Sequence, residues 1–167
     1  MFVDEAKRGG LVIAAVWVEP SDTEDCRRQL RELRLKGQKR IHFTKERDSR
    51  RRLLVAKMSR LPARVDIYDA AAIKDARAAR TRALLGLAER AAIVRASRLI
   101  IEQDDSLVHA DRRTLFTVLR GTGVTYLHQR PSTEPLLWIA DAMAWCWQHG
   151  PQWRARIEPM VRDVRRF

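Results

Sequence analysis

Three acidic residues at separate points of the chain could meet in one site. Asp4 follows the first apolar run of the chain, Glu102 ends a later one, and Asp141 lies within an almost entirely apolar segment. A buried carboxylate that is ionised and unpaired is costly, so Asp141 needs a cation, hydrogen-bond donors, a metal ion or a proton. Mg²⁺ and Mn²⁺ prefer such hard oxygen ligands. We therefore predict Asp4, Glu102 and Asp141 as metal ligands, with Glu5 as a further catalytic carboxylate.

Other acids could complete or replace this set. Asp104 and Asp105 lie in the polar stretch directly after Glu102, and Asp69 ends another apolar run. Asp69 would be the better candidate if its strand were the neighbour of the first strand. Asp141 could also form an ion pair with one of the many arginines, which would give it a structural role only.

A second group of residues could contact substrate. His42 and Lys45 lie close together, and a histidine can transfer protons near neutral pH whereas a lysine can hold a phosphate as a point charge. We predict both as catalytic residues, although a histidine beside a phenylalanine is also typical of a packed, hydrogen-bonded side chain. His128 ends a further apolar stretch, and we predict that it binds nucleic acid together with Arg130.

The charge of the chain favours a polyanionic partner. Its 33 lysines and arginines outnumber 21 aspartates and glutamates, which gives a formal charge of +12 and a pI near 10.9. Such a protein releases counterions when it binds nucleic acid, so its binding should be salt-sensitive and weakly sequence-selective. We predict backbone contacts by Arg50, Arg51 and Arg52, with DNA and RNA both open. An arginine-rich genome composition is the alternative explanation of the charge.

The sequence does not support several other classes of protein. The two cysteines, Cys26 and Cys146, are far apart and do not have the spacing of a zinc site or a disulfide framework. The acidic start of the chain differs from a signal peptide, and its longest apolar run, residues 11–18, is too short to cross a bilayer. We expect a cytoplasmic protein without a membrane segment. Neither a phosphate-binding glycine loop nor a serine or cysteine nucleophile motif is present.

Alternating strands and helices must position these residues. Two apolar runs separated by Gly9 and Gly10 predict an initial β-hairpin. Ser21 and Glu24 have the spacing of a capping box, and Thr44 could cap a second helix. The remaining pattern predicts strands at 1–3, 11–18, 41–43, 64–68, 98–102 and 124–128, and helices at 21–35, 45–60, 74–96, 110–120, 136–148 and after 151.

This order predicts an α/β fold with a mixed sheet flanked by helices. The N-terminal hairpin would form an antiparallel edge of the sheet and the later strands would be parallel, within a single domain at 1–167. Ligands of such sheets lie beyond the carboxyl ends of the parallel strands. That rule selects the acids at strand ends and brings Asp4 and Glu102 to one edge.

Short motifs spread over most of the chain resemble the domain-of-unknown-function 3800 family and its relatives. They are Asp4-Glu5 at the first strand, residues 41–46, residues 99–105, and Ala140-Asp141 in the late helix. The resemblance implies a ribonuclease H-like fold with an acid on the opening strand, on a middle strand and on a late helix. The sequence departs from the family in having Ala6-Lys7 where Ser-Gly usually follows Asp-Glu, and Glu102 where the middle acid is usually Asp.

Two functional hypotheses follow. The first is a nuclease or phosphodiesterase that uses Mg²⁺ or Mn²⁺ on nucleic acid, in which paired ions stabilise the attacking and leaving oxygens. The second is a non-catalytic nucleic-acid-binding or regulatory protein whose acids only pair with arginines. Fold alone does not decide between them.

Overall fold

A six-stranded mixed sheet forms the centre of the computed structural model, which describes residues 1–167. The strands in chain order are β1 (Phe2–Ala6), β2 (Val12–Val18), β3 (Ala63–Asp69), β4 (Arg98–Glu102), β5 (Thr125–Gln129) and β6 (Val161–Arg166). Their order across the sheet is β5-β4-β1-β2-β3-β6. Neighbouring pairs β1–β2 and β2–β3 are antiparallel, whereas β1–β4, β4–β5 and β3–β6 are parallel. The predicted mixed α/β sheet is therefore confirmed, although its hairpin lies at the centre rather than at an edge.

Helices cover both faces of the sheet. The first face carries α1 (Thr23–Glu32), α2 (Asp48–Met58), α5 (Leu137–Gln148) and α6 (Pro151–Ile157), and the second carries α3 (Ala76–Ile93) and α4 (Val108–Leu119). Each face has its own apolar core, because alternate residues of a strand point to opposite sides. None of the helices combines the length and the apolar character needed to cross a membrane.

Strand alternation assigns each strand acid to a face. Phe2 and Ile100 pack in the core of the α5 face, whereas Val3 and Ile101 pack in the core of the α3 face. Continuing this alternation along β1 directs Asp4 toward α5 and Glu5 toward α3. Along β4 it directs Glu102 toward α5.

Several local predictions differ from the structure. Residues 41–43 do not form a strand; a 3-10 turn at Phe43–Lys45 precedes α2, which begins at Asp48 rather than after a Thr44 cap. The expected Ser21 capping box is also absent, because Pro20–Asp22 forms a 3-10 turn and Thr23 donates its hydroxyl hydrogen bond to the Glu19 carbonyl.

The C-terminal strand β6 was not predicted. Its residues are mostly charged, so no apolar alternation marks it as a strand. Backbone pairing with the parallel strand β3 holds it at the edge of the sheet, while Val161 and Val164 pack against the core. Charged side chains on an exposed edge are a common protection against pairing with another chain.

A buried ion pair fixes the start of α5. Glu134 is 2 % exposed and accepts hydrogen bonds from Arg27 Nε at 3.1 Å and Nη2 at 2.6 Å. The same carboxylate accepts the Leu136 N–H at 3.0 Å. The pair thus connects α1 to the segment that leads into α5.

We predict that Arg27→Ala lowers the free energy of unfolding by about 3 kcal/mol, because it leaves the buried Glu134 carboxylate without its cation. The matched control is Arg28→Ala, whose exposed, solvent-screened pairs with Asp25 and Glu32 should contribute little to stability. Urea unfolding of both variants measures the difference. Equal losses would show that the Arg27 pair does not hold α5 in place.

Candidate active site

The three predicted metal ligands line one cavity of about 850 Å³. β1 and β4 are parallel neighbours with Phe2 opposite Ile100 and Val3 opposite Ile101, so continuing the register brings Asp4 beside Glu102. α5 packs across these strands and contributes Asp141. Two adjacent strands and one covering helix therefore bring together carboxylates that are distant in sequence.

Asp4 is the most buried of these acids. It is 9 % exposed, and its Oδ1 accepts the Glu5 N–H at 2.7 Å. Burial raises the pKa of Asp4 well above its usual range, and a hydrogen bond with Glu102 and the negative charges of Glu102 and Asp141 act in the same direction. Desolvation and the neighbouring negative charges therefore both favour the protonated form of Asp4.

Asp141 has hydrogen-bond donors but no arginine partner. Its Oδ2 accepts the Phe43 N–H at 2.9 Å and lies 3.5 Å from His42 Nδ1. The alternative of an Asp141–arginine pair is therefore not found. Glu102 is different, because Arg40 Nη1 lies 3.1 Å from its Oε1.

The rival acids have other roles. Asp69 is on β3, which β2 separates from β1, and it accepts the Trp147 indole N–H at 2.9 Å. Asp104 accepts hydrogen bonds from Ser106, and Asp105 accepts one from Gln103. Both loop acids lie at the cavity wall, but they are exposed and engaged in local turns. Glu102 is the acid next to Asp4.

The cavity has the donor chemistry for a hard divalent cation, but its side chains are not arranged around one. Carboxylate oxygens are the ligands that Mg²⁺ and Mn²⁺ prefer. However, no three His, Cys, Asp or Glu side chains form a group in metal-holding geometry. The Arg40 pair engages a Glu102 oxygen that a cation would need. Movement of Arg40 would free it.

Glu5 lies on the opposite face of the sheet. Its carboxylate pairs with Arg80 and, at 2.7 Å, with Lys7. Arg80 also forms two 2.7 Å hydrogen bonds with Asp111, whose Oδ2 is 3.2 Å from His128 Nε2. Glu5 therefore belongs to a Glu5–Arg80–Asp111–His128 network, while Glu5 and Arg80 also line the cavity. The predicted catalytic role of Glu5 stays a prediction.

His42 and Lys45 separate in the structure. His42 lines the cavity beside Asp141, and its Nδ1 is buried without a hydrogen bond. Lys45 is exposed and does not line the cavity; Thr44 does. The sharp 3-10 turn at Phe43–Lys45 causes this divergence, because it turns successive side chains in different directions. The structure thus supports a position near the acids for His42 but not for Lys45.

The predicted nucleic-acid contacts are only partly available. Arg50 donates to the Leu33 carbonyl, and Arg51 donates to the carbonyls of Phe43 at 2.9 Å and Thr44 at 2.6 Å. These two arginines brace the loop that carries His42, so their guanidinium groups have partners within the protein, and their role in binding stays a prediction. The His128 side chain is 3 % exposed, which removes it from a binding surface. Exposed contact candidates that remain are Arg52 and Arg130.

Other cavity residues were not predicted from the sequence. The sequence did not single out Arg40, because its sequence neighbours do not distinguish it from the other basic residues. His149 stacks on Trp145 with ring centroids 3.4 Å apart, and Arg51 covers Trp145 at 4.4 Å. Burial lowers the pKa of His149. Helical spacing from Asp141 to Trp145, Gln148 and His149 could have revealed this wall of the cavity.

Comparison with known proteins supports the fold. The chain is similar to a solved structure of the PCNA:RNase HII complex from Archaeoglobus fulgidus, with a TM-score of 0.57 and 21% identity over 87% of this chain and 70% of that chain. At this identity the similarity shows a shared ribonuclease H-like fold. No protein-family model and no curated protein matches the chain. Membership of the domain-of-unknown-function 3800 family therefore stays a prediction.

We predict that Asp111→Asn removes a pH-dependent part of the stability. Burial alone would raise the pKa of Asp111, but hydrogen bonds from Arg80 and His128 hold it below its usual range. The stabilisation is therefore complete above the ordinary aspartate pKa of about 4, and it is lost as the pH falls through the lower folded value.

Urea unfolding between about pH 2 and pH 7 tests this linkage. Near pH 7 the variant should be less stable by about 3 kcal/mol, and its unfolding free energy should fall less steeply below about pH 4 than that of the wild type. The exposed Asp105→Asn is the control. Parallel wild-type and Asp111→Asn curves would contradict the assignment.

Proposed function

We propose that the protein is a divalent-metal-dependent nuclease or phosphodiesterase acting on nucleic acid, with Mg²⁺ or Mn²⁺ held by Asp4, Glu102 and Asp141. The observation that carries this proposal is the convergence of these carboxylates from β1, β4 and α5 on one cavity. Asp4 and Asp141 have no arginine partner, and Asp4 is buried among like charges. Such clustering is typical of functional sites.

The cation would polarise a phosphodiester and lower the pKa of a water molecule that attacks it. The side chains of the protein have distinct supporting tasks. Phe43 N–H orients Asp141, and the Glu5 N–H orients Asp4. Arg40 neutralises Glu102 in the metal-free protein and, once released, is near enough to the cavity to pair with a phosphate. His42 is the candidate to transfer a proton at the cavity wall.

The basic character of the protein supports a nucleic-acid substrate. A net charge of +12 attracts polyanions, and Lys7, Arg8 and Arg40 line the cavity itself. Exposed Arg52 and Arg130 are candidates for additional backbone contacts. The shared fold with RNase HII agrees with a nuclease but does not by itself establish one.

The second candidate is a nucleic-acid-binding protein without catalysis. One observation favours it: Glu102 is paired with Arg40, and the acids are not arranged around a cation. In that case the protein would bind nucleic acid equally well with chelator.

We predict that Asp4→Asn and Asp141→Asn each lower Mn²⁺-dependent cleavage of labelled DNA and RNA oligonucleotides by more than about 100-fold, because each removes a ligand charge. Asp105→Asn, at the exposed cavity wall, is the matched control and should retain activity. Wild-type protein that cleaves equally with chelator would contradict the metal-dependent proposal.

Thermal unfolding of the same proteins separates binding from turnover. Mn²⁺ should raise the Tm of the wild type by mass action but not that of either variant. Without metal, Asp4→Asn should be at least as stable as the wild type, since it removes a buried group whose charged form is disfavoured. A wild type that shows neither cleavage nor a metal response would favour the non-catalytic candidate.

A further inference from the structure

A second cavity lies on the α3 face of the sheet. Its volume is about 620 Å³, and it lies between α3 and α4 beneath the loop that follows β3. One wall is formed by Ala76, Arg80 and Leu84 of α3, which repeat at helical spacing, and the facing wall by residues of α4. The sheet separates it from the α5 core, although Lys7, Arg80 and Leu84 border both cavities. A volume of this size is typical of sites for small organic molecules.

The cavity combines an apolar interior with a cationic rim. Aliphatic side chains form much of its surface: Leu11, Ile73, Ala79, Leu84, Leu107 and Ala110. The exposed side chains of Lys74, Arg77 and Arg113 stand at its rim, and none of them has a carboxylate partner among the ion pairs of the structure. Three cationic side chains thus border one cavity without a carboxylate partner.

Asp111, the acidic residue that lines this cavity, is already paired with other side chains. Asp111 is 1 % exposed and is held by Arg80 and His128, so it does not offset the rim charges. The Thr81 side chain is exposed at the α3 wall and makes no hydrogen bond within the protein. A ligand with anionic oxygens could therefore receive charge-assisted hydrogen bonds from the rim and a neutral one from Thr81.

We propose that this cavity binds a small organic phosphate, with the phosphate at the Lys74, Arg77 and Arg113 rim and an apolar body against the aliphatic wall. Arg and Lys recognise phosphate through charge-assisted hydrogen bonds. The aliphatic surface favours a ligand that buries carbon as well, so inorganic phosphate alone should bind more weakly. The proposal does not depend on the metal site.

Adenosine 5′-monophosphate is a suitable probe, with inorganic phosphate and adenosine as its two halves. Isothermal titration of the full chain in chelator, which excludes metal-mediated binding, should show one site for the nucleotide and weaker binding of either half. Affinity should fall as salt rises, because the rim charges are exposed. Binding of the nucleotide no tighter than that of phosphate would overturn the proposed apolar contact.

Neighbouring arginines of α4 provide a matched pair of variants. Arg113→Glu should weaken nucleotide binding by about tenfold or more, since it replaces a phosphate donor with a like charge. Arg112→Glu makes the same change of net charge outside the cavity and should leave the affinity unchanged. Equal losses in both variants would reveal only non-specific attraction and would overturn the site.

A polynucleotide is the competing occupant. If the nucleotide does not bind, but Arg113→Glu weakens binding of a single-stranded oligonucleotide relative to Arg112→Glu, the cavity is part of a nucleic-acid groove and the small-ligand proposal is wrong. Because the titrations contain no metal and measure no cleavage, their failure is independent of the outcome for the proposed nuclease activity.

Discussion

The crowding of three carboxylates around one cavity is the constraint on which the site depends. Asp4 is buried beside Glu102 and Asp141, and both desolvation and like charge oppose its ionisation. The protein offsets this cost with backbone N–H donors to Asp4 and Asp141 and with Arg40 at Glu102. Such an arrangement holds the acids together without neutralising all of them, which is the condition under which a cation would bind most favourably.

The pleat of β1 separates two consecutive acids into different environments. Asp4 faces α5, whereas Glu5 faces α3 and is paired with Arg80. Arg80 in turn holds Asp111, and Glu5 and Arg80 also line the candidate active-site cavity, so this ion network borders the site. Two carboxylates at adjacent positions thus have different environments: Asp4 lies beside other negative charges, whereas Glu5 is paired with a positive charge.

The sequence was most informative where periodicity and burial agree. Apolar runs with a terminal acid predicted β1, β4 and acids at strand ends, whereas the choice of Glu102 over Asp69 required the strand order, in which β4 and not β3 is the neighbour of β1. The excess of positive charge did not indicate which individual arginines are free to bind nucleic acid. In the sequence, Arg50 and Arg51 resemble a binding patch. In the structure their guanidinium groups donate hydrogen bonds to backbone carbonyls of the loop, and these tertiary contacts cannot be read from the local sequence.

Anomalous diffraction from crystals of the wild-type protein soaked in Mn²⁺ would test the metal site most directly. We predict an anomalous peak bound by oxygens of Asp4, Glu102 and Asp141, with Arg40 displaced from Glu102. A peak located elsewhere, or no peak while Arg40 remains paired with Glu102, would contradict the proposed metal site.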